Sequence, residues 1–421
     1  MSRPYKDILN KVSVYTLFSF IEKLLAIGLP AALTFYLSPT DLGIVANFSI
    51  LVSIYTIINT MGIHGAVSLE YYRKEFSSFS TYFSTGIFNI FICFIGLFLI
   101  TFVTGGFVEH FLFIPIPWVY IIPIISMFGA IFSVSLGVYQ VKQEAFKFGV
   151  YSVIKSLLYL IISLFLLIFF KKGFTSLFWG GLLSTSLLGI YLLFVFYKNK
   201  TFRFVYNNLH RKDLLSFGLP MIPHLLGFMI INYSDRIFIG SLISTHEVGI
   251  YHIGYTIGMS ISLLTIIFSK AWLPFFFKYL KEGDTDSYKI IWTVNVYFLI
   301  VVLALSFLLH ILTPFFYNHF IDDVYLPGIN YVPWVISSFV FAAVYSLFAN
   351  FIVYEKKMYV IMFTTLFGLV INLVLNYYLV IWFGGYGAAI ATLITYIILS
   401  IIMIFCVYRY SDVGLIIMKL K

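Results

Sequence analysis

The sequence contains little charge for its length. Only 10% of its 421 residues are Asp, Glu, Lys or Arg, whereas a soluble globular chain carries about 25%. Because 61% of the residues are hydrophobic and the mean hydropathy is +1.01, most of the protein surface must face lipid rather than water. This composition excludes a soluble enzyme domain and a disordered chain.

Cysteine is also scarce. The two cysteines, Cys93 and Cys406, both lie inside apolar stretches. They exclude a secreted disulfide scaffold and are too few for a metal cluster. No Walker A segment is present, so the chain itself hydrolyses no ATP. We therefore expect no cofactor and no metal.

The sequence contains many long apolar runs. A membrane-spanning helix needs about 20 mostly apolar residues. Twelve runs meet this length, and they cover residues 12–36, 42–62, 82–104, 118–139, 149–170, 176–197, 214–240, 249–269, 290–313, 331–353, 359–382 and 387–408. Because the runs are continuously apolar, they predict helices rather than alternating barrel strands. The expected fold is an all-α integral membrane protein with about 12 transmembrane helices.

The basic residues mark one side of the membrane. If the N-terminus is cytoplasmic, 21 of the 26 Lys and Arg residues fall in cytoplasmic segments, and the outside loops hold only Lys171 and Lys172. Lys and Arg concentrate in cytoplasmic loops, so we expect both termini in the cytoplasm. The net charge of +9 is explained by this topology and by anionic lipid, without nucleic acid. The first apolar run is too long for a cleavable signal and predicts the first transmembrane helix.

A short repeat relates the two halves of the chain. Asp41-Leu-Gly43-Ile precedes the second span, and Glu247-Val-Gly249-Ile precedes the eighth, with 206 residues between equivalent positions. We expect the acid to cap the helix and the glycine to permit a tight turn into it.

The repeat favours a duplication of six spans. It predicts an N-terminal six-helix bundle over residues 1–200, a cytoplasmic linker over 201–213 and a C-terminal six-helix bundle over 214–421. Transporters built from two such parallel repeats carry substrate in a central cavity and alternate its exposure.

Three further stretches carry a family resemblance. They are Phe217-Gly-Leu-Pro220, Tyr233-Ser-Asp235-Arg236-Ile-Phe-Ile-Gly240, and Asn372-Leu-Val-Leu-Asn376-Tyr running into Gly384-Gly-Tyr-Gly387. With the repeat, they resemble the polysaccharide (O-antigen, Wzx-type) flippases of the multidrug/oligosaccharidyl-lipid/polysaccharide (MOP) exporter superfamily. Many members have an arginine where this chain has Phe35, so a cationic contact there is not expected.

The resemblance implies a function. It implies a monomeric flippase of the bacterial inner membrane that moves undecaprenyl-pyrophosphate-linked oligosaccharide, an O-antigen or capsule repeat unit, from the cytoplasmic to the outer leaflet. Transport would be coupled to H⁺ or Na⁺. The implied partners are this lipid-linked substrate, membrane lipids and a polysaccharide polymerase or assembly machinery.

Charged residues within the spans are the first candidates for such a site, because each costs about 2.5–3.5 kcal/mol at mid-bilayer. In the first helix, Lys23 is a candidate phosphate contact and Glu22 its counter-charge or an ion-coupling group; alternatively both fix helix packing. In the fifth helix, Lys155 is a second candidate phosphate contact, unless its amine extends to the cytoplasmic interface.

The seventh and eleventh helices hold the other candidates. His224, Asn232 and Asp235 fall on one side of the seventh helix, and Arg236 follows directly. We predict substrate binding by Asn232 and Arg236 and ion coupling by His224 and Asp235; a structural ion pair and a packing histidine are the alternatives. In the eleventh helix, Asn372 and Asn376 either bind sugar or hold helices together.

Two other functions compete with the flippase. A multidrug antiporter would favour acids in its cavity, whereas the within-span charges are two acids and three bases. A membrane-embedded polymerase or glycosyltransferase would gather acids on an outer loop. The largest such loop, Pro314–Asn330, offers only a weak acidic group, Asp322 and Asp323 with His319 nearby. We therefore expect no enzyme.

Overall fold

The chain folds into helices joined by short turns. The computed structural model describes Val14 and residues 17–22, 24–25, 28–73, 78–219, 221–355 and 357–411. The described residues of the first predicted span, up to residue 33, are helical. The following helices are α1 (Pro39–Thr60), α2 (Ile63–Arg73), α3 (Phe79–Leu112), α4 (Ile116–Val119), α5 (Ile122–Val141), α6 (Ala145–Phe170) and α7 (Thr175–Lys198).

The second half continues in the same way. Its helices are α8 (Asn208–Gly218), α9 (Met221–Leu242), α10 (Thr245–Met259), α11 (Ser262–Glu282), α12 (Thr285–Phe320), α13 (Val332–Tyr354), α14 (Met358–Phe383) and α15 (Gly385–Tyr410), with a 3₁₀ helix over Asp323–Tyr331 between α12 and α13.

The protein is a multi-pass membrane protein. Among the described residues, 10 helices are long and apolar enough to cross a bilayer, and the pair Asn208–Gly227 and Met229–Leu242, bent by 44°, brings the number to 11. The first predicted span lies partly outside these residues. Each of the other predicted spans coincides with one of these helices, so the all-α membrane fold is confirmed.

Two compact units divide the chain. The first consists of Met1–Leu29 with Asp41–Met229, and the second of Pro30–Thr40 with Ile230–Lys421. The core of the first unit gathers buried residues of α2, α3, α5 and α7, among them Ile63, Phe83, Ile131 and Leu192. In the second unit, one core joins α11 to α15 around Phe276, Phe351 and Met403.

Residues 30–40 are tied into the second unit by three contacts. The backbone N–H of Asp322 donates to Thr34 Oγ1 at 3.1 Å, and Tyr325 donates its hydroxyl to the Leu37 carbonyl at 2.7 Å. A Cβ on Gly249 would lie only 1.8 Å from the Pro39 carbonyl oxygen. Gly249 therefore permits close packing of two backbones rather than the tight turn that the sequence suggested.

The cap of α10 also differs from the expectation. Ser244, not Glu247, is the N-cap, and its hydroxyl accepts the backbone N–H of Glu247 at 3.1 Å. The Glu247 side chain instead accepts a hydrogen bond from Tyr331. A serine hydroxyl three residues before an acid is a common capping arrangement. Ser38 stands at the corresponding position before Asp41, so the repeat is longer than the acid and glycine alone.

The predicted outer loop Pro314–Asn330 is largely helical. Helix α12 continues through Pro314 to Phe320, because a proline removes one backbone hydrogen bond and need not end a helix whose other bonds persist. Asp322 caps the 3₁₀ helix by accepting the N–H of Val324 at 3.1 Å. The ring of His319 bonds to the Phe315 carbonyl at 2.9 Å. Two of the three residues considered for catalysis are thus engaged in local structure.

Candidate functional site

A completely buried ion pair lies in the part of α9 that belongs to the second unit. Asp235 is 0% exposed and Arg236 is 2% exposed. The Arg236 guanidinium approaches Asp235 Oδ1 at 3.3 Å, and the backbone N–H of Arg236 donates to the same oxygen at 2.8 Å. Tyr251 of α10 donates its hydroxyl to Asp235 Oδ2 at 2.6 Å. Both carboxylate oxygens therefore have partners, as a buried charge requires.

The guanidinium of Arg236 is enclosed by aromatic side chains. Its central carbon lies 4.3 Å from the ring centre of Tyr255, 5.2 Å from that of Tyr233 and 5.9 Å from that of Tyr251. Arg236 Nε donates to His252 Nδ1 at 3.4 Å. Because Nδ1 accepts this bond, His252 is neutral, with its proton on Nε2. The rings supply cation–π attraction in place of water.

A second buried network starts at the neighbouring residue, Ser234. Its hydroxyl donates to Asn372 Oδ1 at 2.8 Å, and Asn376 Nδ2 donates to the same oxygen at 3.0 Å. Asn372 Nδ2 reaches Thr395 Oγ1 at 3.3 Å. The network thereby joins α9, α14 and α15. Asn376 Oδ1 and Thr392 Oγ1 are buried without a hydrogen-bond partner in the described part of the chain.

Asn232 belongs to the same region. Its side-chain oxygen accepts the hydroxyl of Tyr396 at 2.8 Å, and its backbone carbonyl accepts from Arg236 at 3.3 Å. The structure thus brings together four of the predicted substrate residues, Arg236, Asn232, Asn372 and Asn376, with the predicted coupling residue Asp235.

Lys155 belongs to the first unit. It is half-buried, ten residues into α6, and therefore about 15 Å along that helix. Its amine lies 4.8 Å from the ring centre of Phe132, which is itself ten residues into the adjacent helix α5. Since α5 ends close to where α6 begins, Phe132 and Lys155 lie at the same depth. The amine therefore stays at mid-span and does not extend to the interface.

Glu22 is the acidic residue whose charge acts on Lys155. It is half-buried, and among the described residues neither Glu22 nor Lys155 forms a hydrogen bond or an ion pair. Ser163, which the sequence places on the same face as Lys155, packs against α7 instead: a Cβ on Gly180 would lie 2.0 Å from its hydroxyl.

Lys23 and the side chain of His224 lie outside the described residues. Sequence reasoning, for its part, missed Tyr251, His252 and Tyr255. A detectable signal was present, because Tyr251 and Tyr255 are four residues apart on a helix that directly follows the Asp235–Arg236 pair.

Comparison with known proteins gives the family. Residues 8–280, more than half of the chain, match the family described as polysaccharide biosynthesis protein. The chain belongs to this family. Among curated relatives, the protein is 24% identical over 161 residues to the Lsg locus putative protein 1 of Haemophilus influenzae, which is 37% of this chain and 40% of that protein.

A second relative from the same organism, an uncharacterized membrane protein, is 26% identical over 163 residues, 38% of this chain and 40% of its own length. The match therefore covers about two fifths of these curated relatives.

Solved structures confirm the fold. The lipid II flippase MurJ in an inward closed conformation superimposes with a TM-score of 0.70 at 16% identity, over 96% of this chain and 89% of that chain. An inward-facing multidrug resistance MATE family transporter of the MOP superfamily gives a TM-score of 0.66 at 13% identity, over 97% and 96%. The family match confirms the link to polysaccharide biosynthesis that the sequence resemblance implied, and these structures, of a flippase and a transporter, confirm the fold.

Proposed function

We propose that this membrane protein is a flippase for undecaprenyl-pyrophosphate-linked oligosaccharide, working by ion-coupled alternating access in the bacterial inner membrane. The polysaccharide biosynthesis family supports a carbohydrate cargo. The fold shared with the lipid II flippase MurJ supports a cargo that carries its sugar on a lipid. The bias of Lys and Arg supports a cytoplasmic location for both termini.

The observation that carries the proposal is the state of Lys155. A mid-span cation without a bonded acid is costly, and an arriving anion would offset that cost. A pyrophosphate would provide that anion and would form charge-assisted hydrogen bonds with the amine. Lys23 remains a proposed second phosphate contact. The half-buried Glu22 would balance Lys155 while no cargo is bound.

The second unit has a different proposed role. Asp235 and Arg236 satisfy each other, so we assign them to holding α9 against α10 and to ion coupling, with Asp235 as the group that a proton or Na⁺ would neutralise. Asn232, Asn372 and Asn376 supply polar groups in the same region. His224 remains a further proposed coupling residue, and a polysaccharide polymerase or assembly machinery a proposed partner.

The test is a flipping assay in proteoliposomes. The substrate is a fluorescent undecaprenyl-pyrophosphate disaccharide whose outward-facing fraction is quenched chemically. Lys155→Gln should slow flipping at least tenfold, because a hydrogen bond to a charged group is worth about 1.5–3 kcal/mol. Lys155→Arg should retain much of the rate. Lys147→Gln is the matched control, since this lysine is also on α6 but is exposed and paired with Glu144 at 2.6 Å.

The flipping assay distinguishes the phosphate contact, the class of cargo and the coupling ion. Wild-type flipping by Lys155→Gln would refute the phosphate contact. Failure of the wild-type protein to flip the lipid, together with extrusion of a cationic dye, would favour a multidrug antiporter instead. Collapse of the pH gradient should slow flipping if the coupling ion is H⁺, and removal of Na⁺ should do so if it is Na⁺.

A further inference from the structure

The segment that joins α7 to α8 carries an unusual concentration of positive charge. We call residues 198–212 the connector; it includes the end of α7 and the start of α8. It contains no acidic residue. Its five cations are all exposed, and they are Lys198, Lys200, Arg203, Arg211 and Lys212.

These cations lack acidic partners. Within the described part of the chain, none of the five forms an ion pair. Exposed lysines elsewhere do: Lys147 pairs with Glu144, Lys278 with Glu282 and Lys289 with Asp286. The acid that follows the connector, Asp213, accepts the Tyr82 hydroxyl at 2.5 Å. The connector therefore presents uncompensated positive charge.

Large apolar side chains are exposed on the same segment. Phe204 is 75% exposed and Leu209 is 69% exposed, and Val205 and Tyr206 are exposed as well. The ring of Phe204 lies 5.8 Å from that of Tyr197, in the last turn of the membrane-spanning helix α7. Basic and aromatic side chains exposed together are typical of segments that lie in the membrane interface.

Hydrogen bonds hold the connector beside the first turns of α3. Ser80 donates its hydroxyl to the Lys200 carbonyl at 2.9 Å, and Ser84 Oγ accepts the backbone N–H of Arg203 at 2.8 Å. Further along α3, the rings of Phe88 and Tyr206 are 6.2 Å apart. The connector thus follows α3 for about 12 Å. Because α3 spans the membrane, this places the connector at the membrane edge.

We propose that the connector is a binding surface for anionic phospholipid. Lipid phosphates would bind its five cations, and Phe204 and Leu209 would insert among the acyl chains just below the headgroups. The charge complementarity selects anionic over zwitterionic lipid. Each basic side chain near an anionic surface contributes about 1 kcal/mol, or about fivefold in affinity. This lipid surface would be the same whatever substrate the protein transports.

The test measures lipid binding to the full-length protein in neutral detergent by native mass spectrometry. Dioleoylphosphatidylglycerol is the probe and dioleoylphosphatidylcholine the neutral comparison. The triple variant Lys198→Gln, Lys200→Gln, Lys212→Gln should bind phosphatidylglycerol at least tenfold more weakly, with phosphatidylcholine binding unchanged. The matched control, Lys147→Gln, Lys278→Gln, Lys289→Gln, removes the same charge from acid-paired lysines and should stay within about twofold of wild type. Equal losses in both triple variants, or no loss in the first, would overturn the proposal.

A second measurement tests insertion. In a background in which Cys93 and Cys406 are replaced by alanine, a spin label is placed at Phe204→Cys and, as an aqueous reference, at Asp286→Cys, a residue whose side chain is 89% exposed. In nanodiscs that contain phosphatidylglycerol, the label at 204 should be more accessible to oxygen than to a nickel chelate, and the label at 286 the reverse. A label at 204 that behaves like the aqueous reference would contradict the proposal.

Discussion

The two compact units treat charge within the membrane differently. In the second unit, Asp235 and Arg236 are completely buried, and every charged group of the pair has a bonded or aromatic partner. In the first unit, Lys155 and Glu22 are half-buried. The Lys155 amine lies 4.8 Å from the ring centre of Phe132, but neither residue has a hydrogen-bonded or ion-paired partner among the described residues. A satisfied pair contributes to packing, whereas an unsatisfied charge remains available to an incoming ion. Under the proposed function, the second unit would thus use its buried charges mainly to hold the fold, and the first unit would keep its charges for the cargo.

The largest expected effect comes from breaking the buried pair. Asp235→Leu leaves the Arg236 guanidinium buried without its acid, which should lower the free energy of unfolding by about 3–5 kcal/mol. Chemical unfolding in bicelles measures this loss. The double variant Asp235→Leu, Arg236→Met should recover most of the stability, because both charges are then absent. A double variant no more stable than the single one would show that the pair is not the stabilising unit.

Tyr251→Phe should have the next largest effect. It removes the hydroxyl that donates to Asp235 Oδ2 at 2.6 Å and keeps the ring beside Arg236. We expect a loss of about 1.5–3 kcal/mol, the range for hydrogen bonds to charged groups. Tyr377→Phe is a suitable control, since Tyr377 is exposed on α14. Equal stability of the two variants would contradict the assigned bond.

Asn372→Ala should lower the free energy of unfolding by less than Tyr251→Phe does. The change removes an acceptor for Ser234 and Asn376 and a donor to Thr395. Side-chain hydrogen bonds between membrane helices average about 0.6 kcal/mol and reach about 1.7 kcal/mol, so the same unfolding measurement should show a loss within this range. A loss as large as that of Asp235→Leu would mean that the amide network, and not the ion pair, dominates the second unit.

Lys155→Met should have the smallest effect on stability. It should also show the clearest difference between stability, which is kept, and transport, which is lost. Methionine keeps the length of the side chain and removes an unpaired charge, so the free energy of unfolding should change by less than about 1 kcal/mol and in the stabilising direction. Flipping should nevertheless be lost. A destabilised Lys155→Met variant would show that the lysine is a packing residue, and the contrast between the units would fail.

The helices were predictable because apolar runs of sufficient length have few alternatives in a bilayer. The ends of the helices were less predictable than their positions. Helix α3 continues to Leu112 and α12 to Phe320, beyond the predicted ends at residues 104 and 313. Hydrophobicity marks where a chain enters lipid, whereas a helix stops where its caps and tertiary contacts end it.

The site was predictable residue by residue but not as a set of contacts. The adjacency of Asp235 and Arg236 suggested an ion pair, and the spacing of Asn372 and Asn376 placed them on one helix face. Tyr251 and His252 could not be assigned as partners, because the face of α10 that meets α9 is decided by packing between helices. The predicted division of the chain at 201–213 remains a prediction.

Residues 30–40 also constrain how the protein is made. Thr34 and Leu37 bond to Asp322 and Tyr325, each 288 residues later in the chain. At about 5–20 residues per second, a ribosome needs roughly 15–60 s to make that intervening stretch. Residues 30–40 must therefore remain without these partners for most of synthesis. This interval is where chaperones or lipid would have to protect them, and where a premature stop would leave them permanently unpaired.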